Sequence, residues 1–237
     1  FFNAYGICAI TALTAQNTQG VQHVFKIPAD FVGKQIDSVS KDIKIDAVKT
    51  GMLVDSEIVN IVANKIRHLG INQLVVDPVI VSKNGSRLLA DDAVKSVISE
   101  LIPIAFLVTP NIPEAEILAG SRISNIDDVK TAAKAIKKLG AKNVLIKGGH
   151  LGSCMENGNK GKVVDVLFND KSFEYFEREF IDTKGVHGTG CAFSAAITAE
   201  LAKGNSLINA VHIAKEFISK AIKESLNLGE GYTLINL

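Results

Sequence analysis

The sequence predicts a three-layer α/β/α domain with a central, mainly parallel sheet. Short β-branched runs alternate with longer amphipathic stretches, the β–α order that a parallel sheet requires. Most of the short runs are apolar throughout, as strands covered on both faces must be. With 237 residues, 47% of them hydrophobic and 22% charged, the chain can bury one large core without a disulfide or metal staple, so a single domain is expected.

Strands are expected at residues 6–13, 24–25, 47–49, 74–76, 106–108 and 144–146. Helices are expected at 55–69, 91–101, 126–139, 191–202 and 207–226. In the first of these, Ile58, Ile61, Val62, Ile66 and Leu69 trace an apolar stripe crossed only by the stem of Lys65. Residues 163–168 and 173–178, joined by 169–172, read as a β-hairpin at the sheet edge. No internal repeat, low-complexity tract or linker interrupts the pattern.

Charge and cysteine content exclude several function classes. The net charge of +1 leaves no basic footprint for nucleic acid. Cys8, Cys154 and Cys191 are widely spaced and form no CxxC pattern, which argues against a disulfide framework or zinc site and fits a reducing cytoplasm. No apolar run reaches the roughly 18–20 residues of a membrane span, and no export signal is read at the N-terminus.

Residues 184–200 carry the strongest chemical signal, because Gly185, Gly188 and Gly190 run directly into a helical stretch. Convergent loop amides, unpaired N–H groups of a first helical turn and the positive dipole end make an anion site there, with phosphate the expected guest. Cys191 stands where loop meets helix, and that positive field is expected to favour its thiolate. Ligands of parallel sheets bind at the carboxyl ends of the strands. There the sequence delivers Asp77, followed by the turn-forming Pro78; Thr109, Asn111 and Glu114; and Lys147. Asp77 can hold Mg²⁺ directly or through water, and Lys147 can neutralise phosphate oxygens. Glu114 and Glu116 can equally be first-turn glutamates that complement a helix dipole. The convergence of Asp77, Glu114, Lys147 and the Gly-rich loop points to a nucleotide-using kinase.

Six strings bear this out in order: residues 9–18 (AITALTAQNT), 47–53 (AVKTGML), 77–85 (DPVIVSKNG), 109–116 (TPNIPEAE), 144–150 (VLIKGGH) and 187–191 (HGTGC). Together they resemble the hydroxymethylpyrimidine/phosphomethylpyrimidine kinase branch of the ribokinase-like family, over most of the chain. Cysteine at position 191 matches the pyrimidine branch and some pyridoxal kinases, where most ribokinase-like sugar kinases carry aspartate. The resemblance implies ATP-dependent phosphorylation of a hydroxymethylpyrimidine or its monophosphate in thiamin biosynthesis, with ATP and Mg²⁺, in a cytoplasmic homodimer. It places Gln16 on the pyrimidine edge with Thr14 beside it, Asp77 and Glu114 around magnesium and the ATP phosphates, and Lys147 on the nucleotide side. Gly188, Thr189 and Gly190 then hold the transferred phosphoryl group, and Cys191 faces the substrate hydroxymethyl.

The sequence differs from that pattern at both ends. The Gly-Ser-Asp-Ser-Ser-Gly-Gly-Ala-Gly segment that follows the family's first strand does not appear after Phe1, so the expectation is a fold with an exposed central sheet edge. The stretch at residues 229–237 stops before the family's further glycine and proline. Alternative readings are a pyridoxal kinase with the same phosphate machinery, a noncatalytic nucleotide-binding relative, and a thiol hydrolase using Cys191 and His187.

Overall fold

A computed structural model describes residues 1–81, 88–149, 161–181 and 185–236. Positions 82–85, His150, Cys154 and Lys184 of the sequence motifs lie outside the described residues. In chain order the elements are β1 (Ala12–Asn17), β2 (Gly20–Lys26), α1 (Ala29–Ser40), β3 (Val48–Thr50), α2 (Ser56–His68), β4 (Leu74–Val76) and α3 (Asp91–Ser96). They continue with β5 (Leu107–Val108), α4 (Ile112–Ala119), α5 (Ile126–Lys138), β6 (Asn143–Ile146), β7 (Lys162–Phe168) and β8 (Phe173–Glu179). Last come β9 (Val186–His187), α6 (Thr189–Ala202), α7 (Leu207–Lys223) and β10 (Thr233–Leu234).

The central sheet has six strands in the order β3-β4-β5-β6-β7-β8. Strands β3 to β6 are parallel, and the β7–β8 hairpin closes the far edge antiparallel, as expected for residues 163–168 and 173–178. Asn169 builds that turn by accepting the amides of Lys171 and Ser172. Each face of the sheet has its own core. Val76, Val108, Val144, Ile146 and Val166 pack under α2, α3, α4 and α5. Val75, Leu107, Leu145, Leu167 and Phe176 pack under α6 and α7. The two-residue period of a strand therefore decides which layer each side chain meets, and it also selects the functional face.

Two expected sheet strands are elsewhere. Residues 6–11 have no regular structure, and among the described residues β1 pairs with β2 alone, in a separate two-stranded hairpin. Leu13 and Phe25 are 54% and 65% exposed, so these runs are not covered on both faces. The reason is local: the Asn17 side chain accepts the Gln19 and Gly20 amides at 2.9 and 3.2 Å, which folds β2 straight back on β1. β-branched content alone does not distinguish an exposed ribbon from a buried strand.

Helix boundaries follow their caps. Asp55 accepts the Ile58 amide and starts α2 where the apolar stripe begins, while Lys65 turns out of that stripe to Asp37 at 2.6 Å. The expected helix at 91–101 divides into α3 and a π-helical turn, Val97–Leu101, before Pro103 ends it. Helix α1 went unread in the sequence, and α4 was read only as a first turn around Glu114 and Glu116. The second is started by a capping box, in which Asn111 accepts the Glu114 amide and Glu114 accepts the Asn111 amide, each at 2.9 Å.

Candidate active site

The functional face forms where four parallel strands end beneath α6. Lys49 in β3, Asp77 after β4, Thr109 after β5 and Lys147 after β6 share the strand parity of Val75, Leu107 and Leu145, so all face α6. Asp77 is 2% exposed and gathers the others. Lys147 Nζ donates to its Oδ1 at 2.8 Å, and Thr109 Oγ1 donates to the same oxygen at 3.2 Å. Ser194 Oγ, from α6, lies 3.0 Å from Oδ2, and Lys49 Nζ is 3.8 Å from that oxygen.

Burial lifts the Asp77 carboxyl, but the charges of Lys147 and Lys49 and the hydrogen bonds from Lys147 and Ser194 outweigh it, holding the group below the usual carboxylate range. Burial likewise lowers Lys147, but Asp77 and Glu114 hold it above the usual lysine range. Glu114, the 3%-exposed third residue of α4, is pushed up to about 7. Burial is the main cause, opposed by Lys147 and the Asn111 amide and reinforced by Asp77. Two lysines thus face one firmly ionised carboxylate, leaving surplus positive charge.

Above them α6 opens without a side-chain cap. Gly188 sits at φ 84°, a left-handed conformation that glycine adopts freely, and its carbonyl accepts the Ala192 amide at 2.9 Å. The amides of Thr189, Gly190 and Cys191 belong to the first turn, which has no intrahelical acceptors to offer them. A Cβ added to Gly190 would lie 3.3 Å from Lys147 Nζ, so the loop and the lysine meet at this point. The donor set therefore fits an anion held between loop amides and the Lys147 ammonium.

Cys191 borders the same group, but its expected thiolate is not favoured. The residue reaches solvent. Desolvation around its sulfur raises the thiol above its ordinary value; Lys49 and Lys147 oppose that rise, and Asp77 and Glu114 add to it. A thiol hydrolase pairing is not built either. His187 packs edge-on against Tyr232 with ring centroids 4.6 Å apart, and its Nε2 has no hydrogen-bond partner among the described residues.

A metal fits this donor set only in company. Asp77 has both oxygens engaged, and no cluster of three or more His, Cys, Asp or Glu side chains able to hold an ion occurs among the described residues. Magnesium binds through one or two carboxylates together with phosphate oxygens and water. Glu114, beside a bound nucleotide, and Asp77 are the carboxylates that could hold such an ion.

The structure brings Asp77, Glu114, Lys147, Gly190 and Cys191 together. It leaves Thr14 and Gln16 exposed on the β1–β2 hairpin, Gln16 at an irregularity in the ladder, with no contact to the Asp77 group among the described residues. Lys49 and Ser194 were missed by sequence reasoning. Lys49 lies inside the 47–53 string and could have been found by strand parity, and Ser194 by its i, i+3 spacing from Cys191 on one helix face.

Fold and site together define an α/β phosphotransferase of the ribokinase-like class. The sequence profile of phosphomethylpyrimidine kinases matches residues 1–236, and the chain belongs to that family. The hydroxymethylpyrimidine/phosphomethylpyrimidine kinase of Bacillus subtilis is 43% identical over 230 residues, 97% of this chain and 83% of its own length. Among solved structures, an ADP complex of Bacillus subtilis pyridoxal kinase matches with a TM-score of 0.87 at 36% identity, covering 99% of this chain and 86% of that one. A phosphomethylpyrimidine kinase from Clostridium difficile 630 matches with a TM-score of 0.80 at 40% identity, covering 93% and 88%.

Two outcomes follow from the geometry. Because Glu114 titrates near 7 when folded and near 4.5 when not, the folded state binds more protons between those values, so its contribution to stability is present at low pH and lost as pH rises through the window. In metal-free, nucleotide-free buffer, urea unfolding should show wild type losing on the order of 2–3 kcal/mol more than Glu114→Gln across that window; identical pH slopes would contradict it. Second, Gly190→Val should abolish most turnover with little change in melting temperature, since its side chain meets Lys147 and screens the loop amides. A folded Gly190→Val protein with normal turnover would reject the phosphate cradle.

Proposed function

We propose that the chain transfers the γ-phosphoryl group of ATP to 4-amino-5-hydroxymethyl-2-methylpyrimidine, to its monophosphate, or to both, as a kinase of thiamin biosynthesis working as one domain. The observation that carries this reading is the meeting of Lys147, anchored on Asp77, with the uncapped Gly188–Cys191 helix start. Its kinship with kinases of that name supports the substrate.

In this reading the amides of Gly188, Thr189 and Gly190 and the Lys147 ammonium hold the phosphoryl oxygens as the substrate hydroxyl attacks in line. Glu114, and Asp77 through water, would hold magnesium, which supplies charge neutralisation on the phosphates when bound. Cys191 faces the hydroxymethyl group as a protonated thiol in the resting enzyme, where it orients the hydroxyl. It takes up a proton only after losing its own, which a loose transition state seldom demands. Thr14 and Gln16 reach the pyrimidine from the β1–β2 hairpin. Exposed Leu13, Val24, Phe25 and Phe31 on and beside that hairpin support a homodimer. No helix among the described residues is long and apolar enough to cross a membrane, and the free Cys8 and Cys191 support a cytoplasmic setting.

The pyridoxal kinase likeness makes pyridoxal the competing alcohol. Coupled ADP release with the pyrimidine alcohol, its monophosphate and pyridoxal distinguishes them; turnover of pyridoxal alone would overturn the pyrimidine assignment. A side-chain amide pairs with both a ring nitrogen and the adjacent amine of an aminopyrimidine. Gln16→Leu should therefore weaken the pyrimidine by on the order of 1–3 kcal/mol while leaving ATP binding intact. Equal losses for both ligands, or none, would remove Gln16 from the pocket.

A further inference from the structure

Beside Lys147, on the same sheet face, lies a second buried ion pair that phosphoryl transfer does not use. Asp165 in β7 and Lys215 in α7 are 5% and 6% exposed, and the Lys215 ammonium donates to Asp165 Oδ2. The other oxygen, Oδ1, accepts the amide of Gly148 at 2.9 Å. Gly148 immediately follows Lys147, and a Cβ there would overlap the carbonyl oxygen of Val164, so this turn is pressed directly onto β7. Strand β7 runs antiparallel to β6, the ladder ending with Ile146 opposite Val166, and the Gly148 amide on Asp165 brings the Lys147–Gly148 turn beside Asp165.

Asp165 is therefore a second carboxylate beside the turn that carries Lys147, while the charges of Asp77 and Glu114 are the ones that hold its ammonium. Lys147 goes to Asp77. Asp165 is already occupied by Lys215, and the charge of Arg178 in β8 acts on the same pair. Stability alone gives little reason for such a pair, since buried ion pairs can often be replaced by apolar residues without loss.

We infer that Asp165 and Lys215 are positioning residues for Lys147. Asp165 fixes the Lys147–Gly148 turn through the Gly148 amide, and Lys215 neutralises Asp165 so that Lys147 stays with Asp77 and the incoming phosphate. The inference deepens the kinase reading and rests on it.

Three full-length variants test it, with kcat, both KM values, nucleotide binding and melting temperature measured on each. Lys215→Met leaves Asp165 free to draw Lys147 away. Asp165→Asn/Lys215→Met removes both charges but keeps an acceptor for Gly148, and Asp165→Val/Lys215→Met removes that acceptor too. The expected result is near-native kcat in the asparagine pair. The valine pair should fall about 100-fold in kcat at similar melting temperature, as ångström-scale misplacement of a binding group does. Nucleotide KM should rise while alcohol KM holds, and adding Asp165→Asn should restore the kcat lost in Lys215→Met. Equal kcat in the two folded pairs overturns the inference. Should the valine pair not fold, an asparagine pair no faster than Lys215→Met, or itself far below wild type, overturns it. Wild type silent with every alcohol would fail the kinase reading instead, while an active wild type with equal pairs fails only the positioning role.

Discussion

A carboxylate taken out of water must be paired, and Asp77 is where this fold meets that requirement. Removing the charge from solvent costs several kcal/mol, which one neutral hydrogen bond does not offset. Four elements therefore converge on it: β3 through Lys49, β5 through Thr109, β6 through Lys147 and α6 through Ser194. The same contacts that satisfy Asp77 bring the start of α6 over the strand ends and hold one ammonium beside Gly190. Structure and site are one arrangement here.

The charge balance then sets what can bind. A site with two lysines, one ionised carboxylate and an uncapped helix start favours polyanions, and Glu114, poised near neutrality, adds a negative charge most readily when a cation arrives with the ligand. The acids that could oppose phosphate are thus either paired or partly protonated in the resting enzyme. Cys191 belongs to this balance as well. Burial of its thiol outweighs the charges of Lys49 and Lys147, with Asp77 and Glu114 adding to the rise, so the residue orients more than it ionises.

Most of the proposed phosphate-binding half was legible in the sequence, because its geometry depends on local rules. A buried apolar strand ending in Asp-Pro, a strand ending in Lys-Gly-Gly and a glycine loop entering a helix each announce their geometry. Adding strand parity to them would also have found Lys49. The half proposed to meet the substrate was less legible. The β1–β2 ribbon has the composition of a sheet strand, and only the Asn17 turn shows that it folds back on itself outside the sheet. The Asp165–Lys215 pair was out of reach for a different reason. It joins a strand and a helix 50 residues apart, and nothing local in either segment marks the partner.

The central claim is that Asp77 holds Lys147 for the nucleotide. A double-mutant cycle in ADP affinity, using Asp77→Asn, Lys147→Met and the double variant with folding confirmed by thermal melts, tests it most directly. If the two side chains act as one unit, the double variant binds no more weakly than the weaker single, a coupling of about 1–3 kcal/mol. Strictly additive losses would show that Asp77 and Lys147 act on the nucleotide independently and would contradict the account.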